Sequence, residues 1–369
     1  MFKVVYSNNL KQLAAHLAEL QLAQPLPPLE AETVIVQSNE LSRWLSLFLA
    51  QSHGVVSHID FPYPSAYIWT LFRKLLPNIP KQSSFSTDAM SWRLYELLPQ
   101  CRQQAGFESI DAYLGKTDEP LKLYGLAHRI ADTFDQYLMY RPDWIQAWEQ
   151  GDKPHWQAKL WQQLTKGDDK PLHRANLLVQ LQDYLASIEQ RPAQLPSRMA
   201  IFGISALPPV YLDLFKLMAR HCDVTLYLLS PSEEYWGDLV DQKTQTQRLI
   251  ESPEHADYSV SGHPLLASLG KQGQEFFDQL QEIQPEEESL FMPTDNDQIL
   301  GLLQQDIYTL REISTEQPSR FIALDDDSIM VHSCHSAMRE IEVLHDQLLA
   351  LFERHPDLSP TDIVVMTPD

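Results

Sequence analysis

The chain opens on strand–turn–helix units, loses its strands for about a hundred residues, and then takes them up again; few folds allow that order. The opening "FKVVYSNNLKQLAAHLAEL" reads as a strand over Phe2–Tyr6, a tight polar turn, and a helix with Leu10, Leu13, Ala14, Leu17 and Leu20 on one face. A strand at Thr33–Val36 leads to a helix near Leu41–Gln51, and an extended piece at His58–Phe61 leads to a helix over Ser65–Leu76. This βαβα order predicts a parallel sheet with helices on its faces. From about 85 to 192 only helical periodicity remains: Met90–Leu98, Leu121–Tyr140, Asp143–Gln150, Trp156–Leu164 and Ala175–Glu189, punctuated by prolines at 99, 142, 154 and 171. Strands return at "RMAIFGIS" (198–205) and "DVTLYLLSP", around a helix that starts on the prolines of "PPVYLDLFKLMARHC". The pattern is that of one domain inserted into another.

Two helices are expected beyond this point, over Pro264–Ile283 and Asp297–Ile313. A last unit reads as a strand at "SIMVHSC", a helix from Ala337 to Arg354 and a strand over Asp362–Met366. That is a second βαβ start, and a longer protein is expected beyond Asp369. The longest apolar run, around "LSLFLA", is far shorter than the ~20 residues of a membrane span. The opening residues show no charged-then-apolar leader with a small-residue cleavage site, so no secretory signal is expected. Three separated cysteines, Cys101, Cys222 and Cys334, suggest reduced thiols in a cytosol.

A nucleotide-binding enzyme with this opening would carry G-x-x-x-x-G-K-[ST] in the first turn. Here the turn is Ser7-Asn8-Asn9, with Ser7 and Asn8 as the expected helix caps. Gly203 follows a strand, but no lysine follows it. Without a lysine to reach phosphate and a hydroxyl placed for Mg²⁺, nucleotide hydrolysis is not expected. Metal binding has little support: His332 and His335 beside Cys334 would face opposite sides of a strand, and His221 and Cys222 are adjacent at a helix end. No G-x-S-x-G elbow is present. The expectation is therefore no catalytic residue, no metal and no cofactor.

The net charge of −22 opposes a nucleic-acid partner, but it is unevenly spread. Residues 231–330 hold 21 acidic against 5 basic side chains, leaving −6 for all the rest. Screening over ~8 Å lets a local groove attract phosphate despite a distant acidic surface. Three stretches have the residue types for an unpaired strand. "VQSNELSRWL" puts Gln37, Asn39 and Arg43 at and after the carboxyl end of a strand, where α/β sheets hold ligands. "IDFPYPSAYIW" puts Phe61, Tyr63, Tyr67 and Trp69 around two prolines. "TFDQYLMYRPDW" puts Asp132, Asp135, Gln136, Tyr137, Tyr140 and Arg141 at one helix end. Amides read base edges, aromatics stack on bases, and arginines hold phosphate or guanine. Each stretch taken alone reads first as core packing, and the acidic pair Asp132/Asp135 as a solvated helix face.

Together with "MSWRLYELLP", "HRANL", "GISALPPVYL", "EYWGD", "HPLLASLGKQG" and "REIEVLHDQLLALFERHPDLSPTDIVVM", these stretches resemble the RecC family, the gamma subunits of exodeoxyribonuclease V. They occur in the family's order and correspond to roughly its amino-terminal third. The resemblance implies a superfamily 1 helicase-like parallel sheet domain that has lost its ATP site. Residues 1–84 and 193–320 would form helicase-like domain 1A, 85–192 the helical insert 1B, and 327–369 the truncated start of domain 2A. It also implies a bacterial, cytoplasmic, non-catalytic DNA-binding subunit of an ATP-dependent helicase/nuclease. Its partners would be RecB-type and RecD-type subunits in a heterotrimer, with single-stranded and forked DNA and no membrane. Its work would be double-strand break repair and recombination: guiding unwound strands and recognising the Chi sequence. The scanning residues so implied are Gln37, Asn39, Arg43, Tyr63, Trp69, Asp132, Asp135, Gln136, Arg141 and Arg174, with one cleft expected to hold Gln37, Trp69 and Arg141. Asn39, Arg43 and Tyr63 depart from the threonine, glutamine and leucine of the best-known members. Arg43 adds a charge and a bidentate reach toward guanine. A pure scaffold and an active ATP-dependent helicase remain the alternatives.

Overall fold

The structure is a computed structural model describing residues 1–115, 119–151, 155–167, 172–240, 244, 246, 262–293, 297–311 and 320–367. It divides into two compact units, Met1–Pro293 with Ile307–Ile313, and Thr294–Asp306 with Ser314–Asp369.

The first unit is built on six parallel strands in the order β3-β2-β4-β5-β1-β6. They are β1 Phe2–Ser7, β2 Glu32–Ile35, β3 Ile59–Asp60, β4 Arg198–Phe202, β5 Asp223–Leu229 and β6 Glu286–Ser289. Alternation along the strands divides the apolar side chains between two faces. Val4, Tyr6, Ile35, Met199, Ile201, Val224, Leu226 and Leu228 enter one core; Val5, Val34, Val36, Ala200, Phe202 and Tyr227 enter the other. The second face is covered by α1 Leu10–Ala23 and α2 Asn39–His53. The first face is covered by α3 Pro64–Leu75, the body of α9 Arg174–Ser187, and α10 Pro209–Met218.

Between β3 and β4 the chain is helical. After α3 come α4 Thr87–Cys101, α5 Glu108–Leu114, α6 Pro120–Tyr140, α7 Pro142–Glu149, α8 Trp156–Leu164 and then α9. Helices α4 to α8 pack around their own core, in which Phe107, Phe134, Trp148 and Trp161 are fully buried. Helix α9 joins the two cores: Ala175 belongs to the helical block, while Leu177, Leu178, Leu181 and Leu185 belong to the sheet. Glu149 fixes this junction. Its Oε1 lies 2.6 Å from His173 Nε2 and accepts from Trp161 Nε1 at 3.1 Å, and its Oε2 accepts from Asn176 Nδ2 at 3.2 Å.

Several sequence expectations are corrected. Helix α1 is capped by Asn9, which accepts from Lys11 N, and not by Ser7 or Asn8. Helix α4 runs through Pro99, which lies in its last turn, to the fully buried Cys101, whose Sγ donates to Gln163 Oε1 at 2.9 Å. The helix expected over Pro264–Ile283 is two, α11 Pro264–Leu269 and α12 Lys271–Ile283, broken at Gly270. A Cβ at Gly270 would stand 2.5 Å from Leu266 O and 3.1 Å from the Trp236 ring. Helix α13 spans Ile299–Tyr308 rather than Asp297–Ile313, whose last two positions lie outside the described residues. Strand β6, the acidic "EEES", gave no hydrophobic signal. It sits at the sheet edge, where charged side chains are ordinary, and Lys3 Nζ meets Glu288 at 2.6 Å.

In the second unit α14, Ala337–Arg354, has the bounds its sequence pattern gave and is capped by Ser336. The expected flanking strands are not formed. "SIMVHSC" has no strand, and Asp362–Met366 begins as the end of a 3₁₀ turn and continues without pairing. Apolar runs become strands only against a ladder partner, and these have none among the described residues, so Val331 stays 91% and Val364 77% exposed.

Candidate nucleic-acid interface

Two places in the first unit concentrate polar side chains near loop ends. The first is the turn between β1 and α1. Ser7 is fully buried; its Oγ donates to Leu290 O at 2.9 Å and accepts from Asn9 N at 3.0 Å. Asn8 pairs twice with one backbone: Nδ2 donates to Met292 O at 2.7 Å, and Oδ1 accepts from Met292 N at 3.1 Å. The turn thus ties down the chain leaving β6, and its polar groups are committed to the fold.

The second is a cleft of about 590 Å³ lined by α3, the chain entering α4, and α4, α6, α9 and α10. It brings together Trp69, Asp135 and Arg174. The Trp69 indole is held: Nε1 donates to Lys81 O at 3.1 Å, and its ring meets Phe72 edge-on at 5.7 Å. Arg174 Nη2 stands 3.4 Å from Asp135 Oδ1, both side chains half-buried. Arg174 is the first residue of α9, so the grip of Glu149 on its neighbours His173 and Asn176 sets its position. Burial pushes the Glu149 carboxyl up, but the hydrogen bonds from His173, Asn176 and Trp161 outweigh it and hold the group below the usual carboxylate range. Tyr211 adds a hydroxyl that is buried without a hydrogen-bond partner. Burial, above all, raises its pKa; Arg174 opposes the shift, while Asp135 and Tyr140 reinforce it.

The other expected residues lie outside this set. Gln37, Asn39 and Arg43 are exposed at the carboxyl end of β2 and on α2, with Asn39 and Arg43 one turn apart. Val36 N donates to Pro62 O, which brings the Tyr63 loop beside them. Tyr63 starts α3, and Trp69 follows six residues on, about 9 Å along the helix. Asp132 and Gln136 are exposed on α6 and hydrogen-bond each other at 3.2 Å. Arg141 ends α6, its guanidinium over the Trp144 ring at 5.6 Å. Gln37 and Arg141 are not among the residues lining the cleft with Trp69. Conversely, sequence reasoning passed over Trp92 and Tyr211, which do line it. Trp92 stands inside "MSWRLYELLP", and its i, i+3 spacing to Tyr95 was the available signal. Among the described residues no group of three or more His, Cys, Asp or Glu could hold a metal, and no helix is long and apolar enough to cross a membrane.

The family model described as RecC, N-terminal domain, matches residues 2–310. The chain belongs to the RecC family. It is 37% identical over 415 aligned residues to the RecBCD enzyme subunit RecC of Escherichia coli K12, covering 100% of this chain and 37% of that protein. The Haemophilus influenzae RecBCD enzyme subunit RecC is 35% identical, with 100% and 38% covered, and that of Mycolicibacterium smegmatis 33%, with 97% and 32% covered. The chain thus spans between 32% and 38% of the length of these RecC relatives. Its parallel six-stranded α/β architecture is compatible with a helicase-like fold.

Proposed function

We propose that the chain is the DNA-contacting amino-terminal part of a non-catalytic RecC subunit. In this reading it works in a bacterial, cytoplasmic RecBCD-type heterotrimer with RecB-type and RecD-type partners. That complex repairs double-strand breaks and serves recombination, and this subunit guides unwound single strands and recognises a Chi-type sequence. Residues 1–84 with 193–320 act as helicase-like domain 1A, 85–192 as the insert 1B, and 327–369 as the start of domain 2A.

The observation that carries the reading is the cleft in which Trp69, Asp135 and Arg174 converge. A held indole offers a stacking surface worth about 1–3 kcal/mol per base. An arginine balanced loosely on a carboxylate can turn to a phosphate or a guanine edge. Gln37, Asn39, Arg43 and Tyr63, exposed around the ends of β2 and β3, extend the path from the other end of α3, with Asp132, Gln136 and Arg141 along and beyond α6. The departures at 39, 43 and 63 fit a recognised sequence that differs from that of the best-known members.

The β1–α1 turn supports the loss of nucleotide hydrolysis: its side chains are spent on Leu290 and Met292 backbone, and it carries no lysine. ATP hydrolysis by the purified chain that disappears on mutating Ser7–Asn9 would overturn that part. For the whole reading, Arg141→Ala and Arg174→Ala in the full-length subunit of the assembled complex are expected to alter the Chi response and DNA protection. A pure scaffold predicts that both stay as in the unmodified complex.

A further inference from the structure

Trp92 belongs to two surfaces. It lines the cleft with Trp69, Asp135 and Arg174, and it is 60% exposed on α4 as the centre of a ring cluster. Its ring centroid lies 5.2 Å from Tyr124 and 6.0 Å from Tyr95; Tyr124 in turn lies nearly parallel to His128 at 6.1 Å, tilted by 17°. Tyr124, His128 and Asp135 fall within about 40° of one another around α6 at ~100° per residue. One flank of that helix therefore runs from the cleft to the rings, about 16 Å along the axis at 1.5 Å per residue.

Two details bear on these rings. Gly125, next to Tyr124, stands in the second turn of α6, where glycine costs roughly 1 kcal/mol relative to alanine, yet a Cβ there would meet nothing within 4 Å. The His128 ring is held at one edge: Ser91 Oγ, which donates to Thr87 O at 2.6 Å, stands 3.2 Å from His128 Nδ1.

We infer that Trp92, Tyr124 and His128 form a second stacking platform for unpaired nucleobases, on which a single strand continues after leaving the Trp69 cleft. The inference rests on the reading of the cleft as a strand path. Rings with polar edges and an open backbone at Gly125 suit flat bases. The charges on α4 and α6 in sequence around these rings are mixed, with Asp88, Glu96 and Asp132 against Lys122 and Arg129, so the platform is read as holding bases and not phosphates.

The test uses the full-length subunit, free and in its assembled complex, with oligodeoxythymidylate carrying a single 5-iododeoxyuridine. Near-ultraviolet irradiation is expected to crosslink the iodinated base to Trp92 or Tyr124. Trp92→Leu and Tyr124→Leu should each weaken oligonucleotide binding about fivefold or more, the low end of one lost stack. The salt dependence should stay unchanged, and Trp92→Phe should restore most of the affinity. Unchanged affinity and crosslinking in both leucine variants, with affinity lost in Trp69→Ala, overturns the platform and leaves the cleft standing. Unchanged affinity in Trp69→Ala as well overturns both. A complex that sheds a partner subunit on Trp92→Leu, while the free subunit binds the oligonucleotide as before, assigns the rings to a protein interface and overturns the platform.

Discussion

The β1–α1 turn and the Trp69 cleft differ in how they use polar groups. In the turn every side-chain group of Ser7 and Asn8 is matched to backbone around β6. In the cleft the Arg174–Asp135 pair is long at 3.4 Å, and the Tyr211 hydroxyl has no partner at all. Buried polar groups are normally satisfied, because leaving one unpaired costs on the order of 1–3 kcal/mol. On the proposed reading, the turn is kept for architecture and the cleft for a ligand.

The sharpest way to break this contrast is Trp69→Ala. If the cleft takes an unpaired base, the assembled complex should lose up to about 3 kcal/mol of single-strand affinity, at most roughly 150-fold, read by fluorescence anisotropy with an oligonucleotide. A change of less than twofold would return Trp69 to the core it partly packs against. The turn should give the opposite pattern. Ser7→Ala removes a fully buried hydroxyl and strands Leu290 O and Asn9 N, so the chain should lose about 2 kcal/mol in denaturant unfolding while its response to DNA stays the same.

A smaller effect is expected at the support of Arg174. The carboxyl of Glu149 is depressed in the fold, so its contribution is fully present above the ordinary carboxylate range and is lost as pH falls through the folded value. Glu149→Gln should cost about 1.5 kcal/mol at neutral pH, the low end for hydrogen bonds to a charged group. It should also flatten the acid limb of the stability profile. Since His173 and Asn176 flank Arg174, DNA binding should weaken in the variant before the chain unfolds, which stability curves and oligonucleotide titrations at matched pH would show.

The sheet was legible because its strands are buried on both faces and read as apolar runs, "VVY", "TVIV", "MAIF" and "VTLYLL". What escaped was set by partners rather than by composition. "EEES" became a strand because β1 offered a free edge, whereas "IMV" and "IVVM" pair with no strand among the described residues. In the site, Trp69 and Asp135 were named from the residues as well as the resemblance and Arg174 from the resemblance alone, and the cleft does hold all three. Their distance in sequence gave no local pattern for that convergence. Trp92 and Tyr211 were missed because an aromatic on a helix reads as core until its exposure or its orphaned hydroxyl is known.

That hydroxyl gives the smallest expected effect and the finest comparison. Ser7 and Tyr211 are both buried and both polar, and only the serine's oxygen has partners. Tyr211→Phe removes an oxygen that makes no hydrogen bond, and the ring that fills the core stays. Stability should therefore stay within about 0.5 kcal/mol of the parent or rise, because an unpaired buried group is a cost already carried. A destabilisation as large as that of Ser7→Ala would mean that the hydroxyl has a partner in the folded protein, and the cleft would lose its distinction from the turn. If stability holds while single-strand affinity falls severalfold, the hydroxyl is held in reserve. Arg174 leaving Asp135 for the strand would free the carboxylate, and Tyr211, near both, is the donor placed to take it.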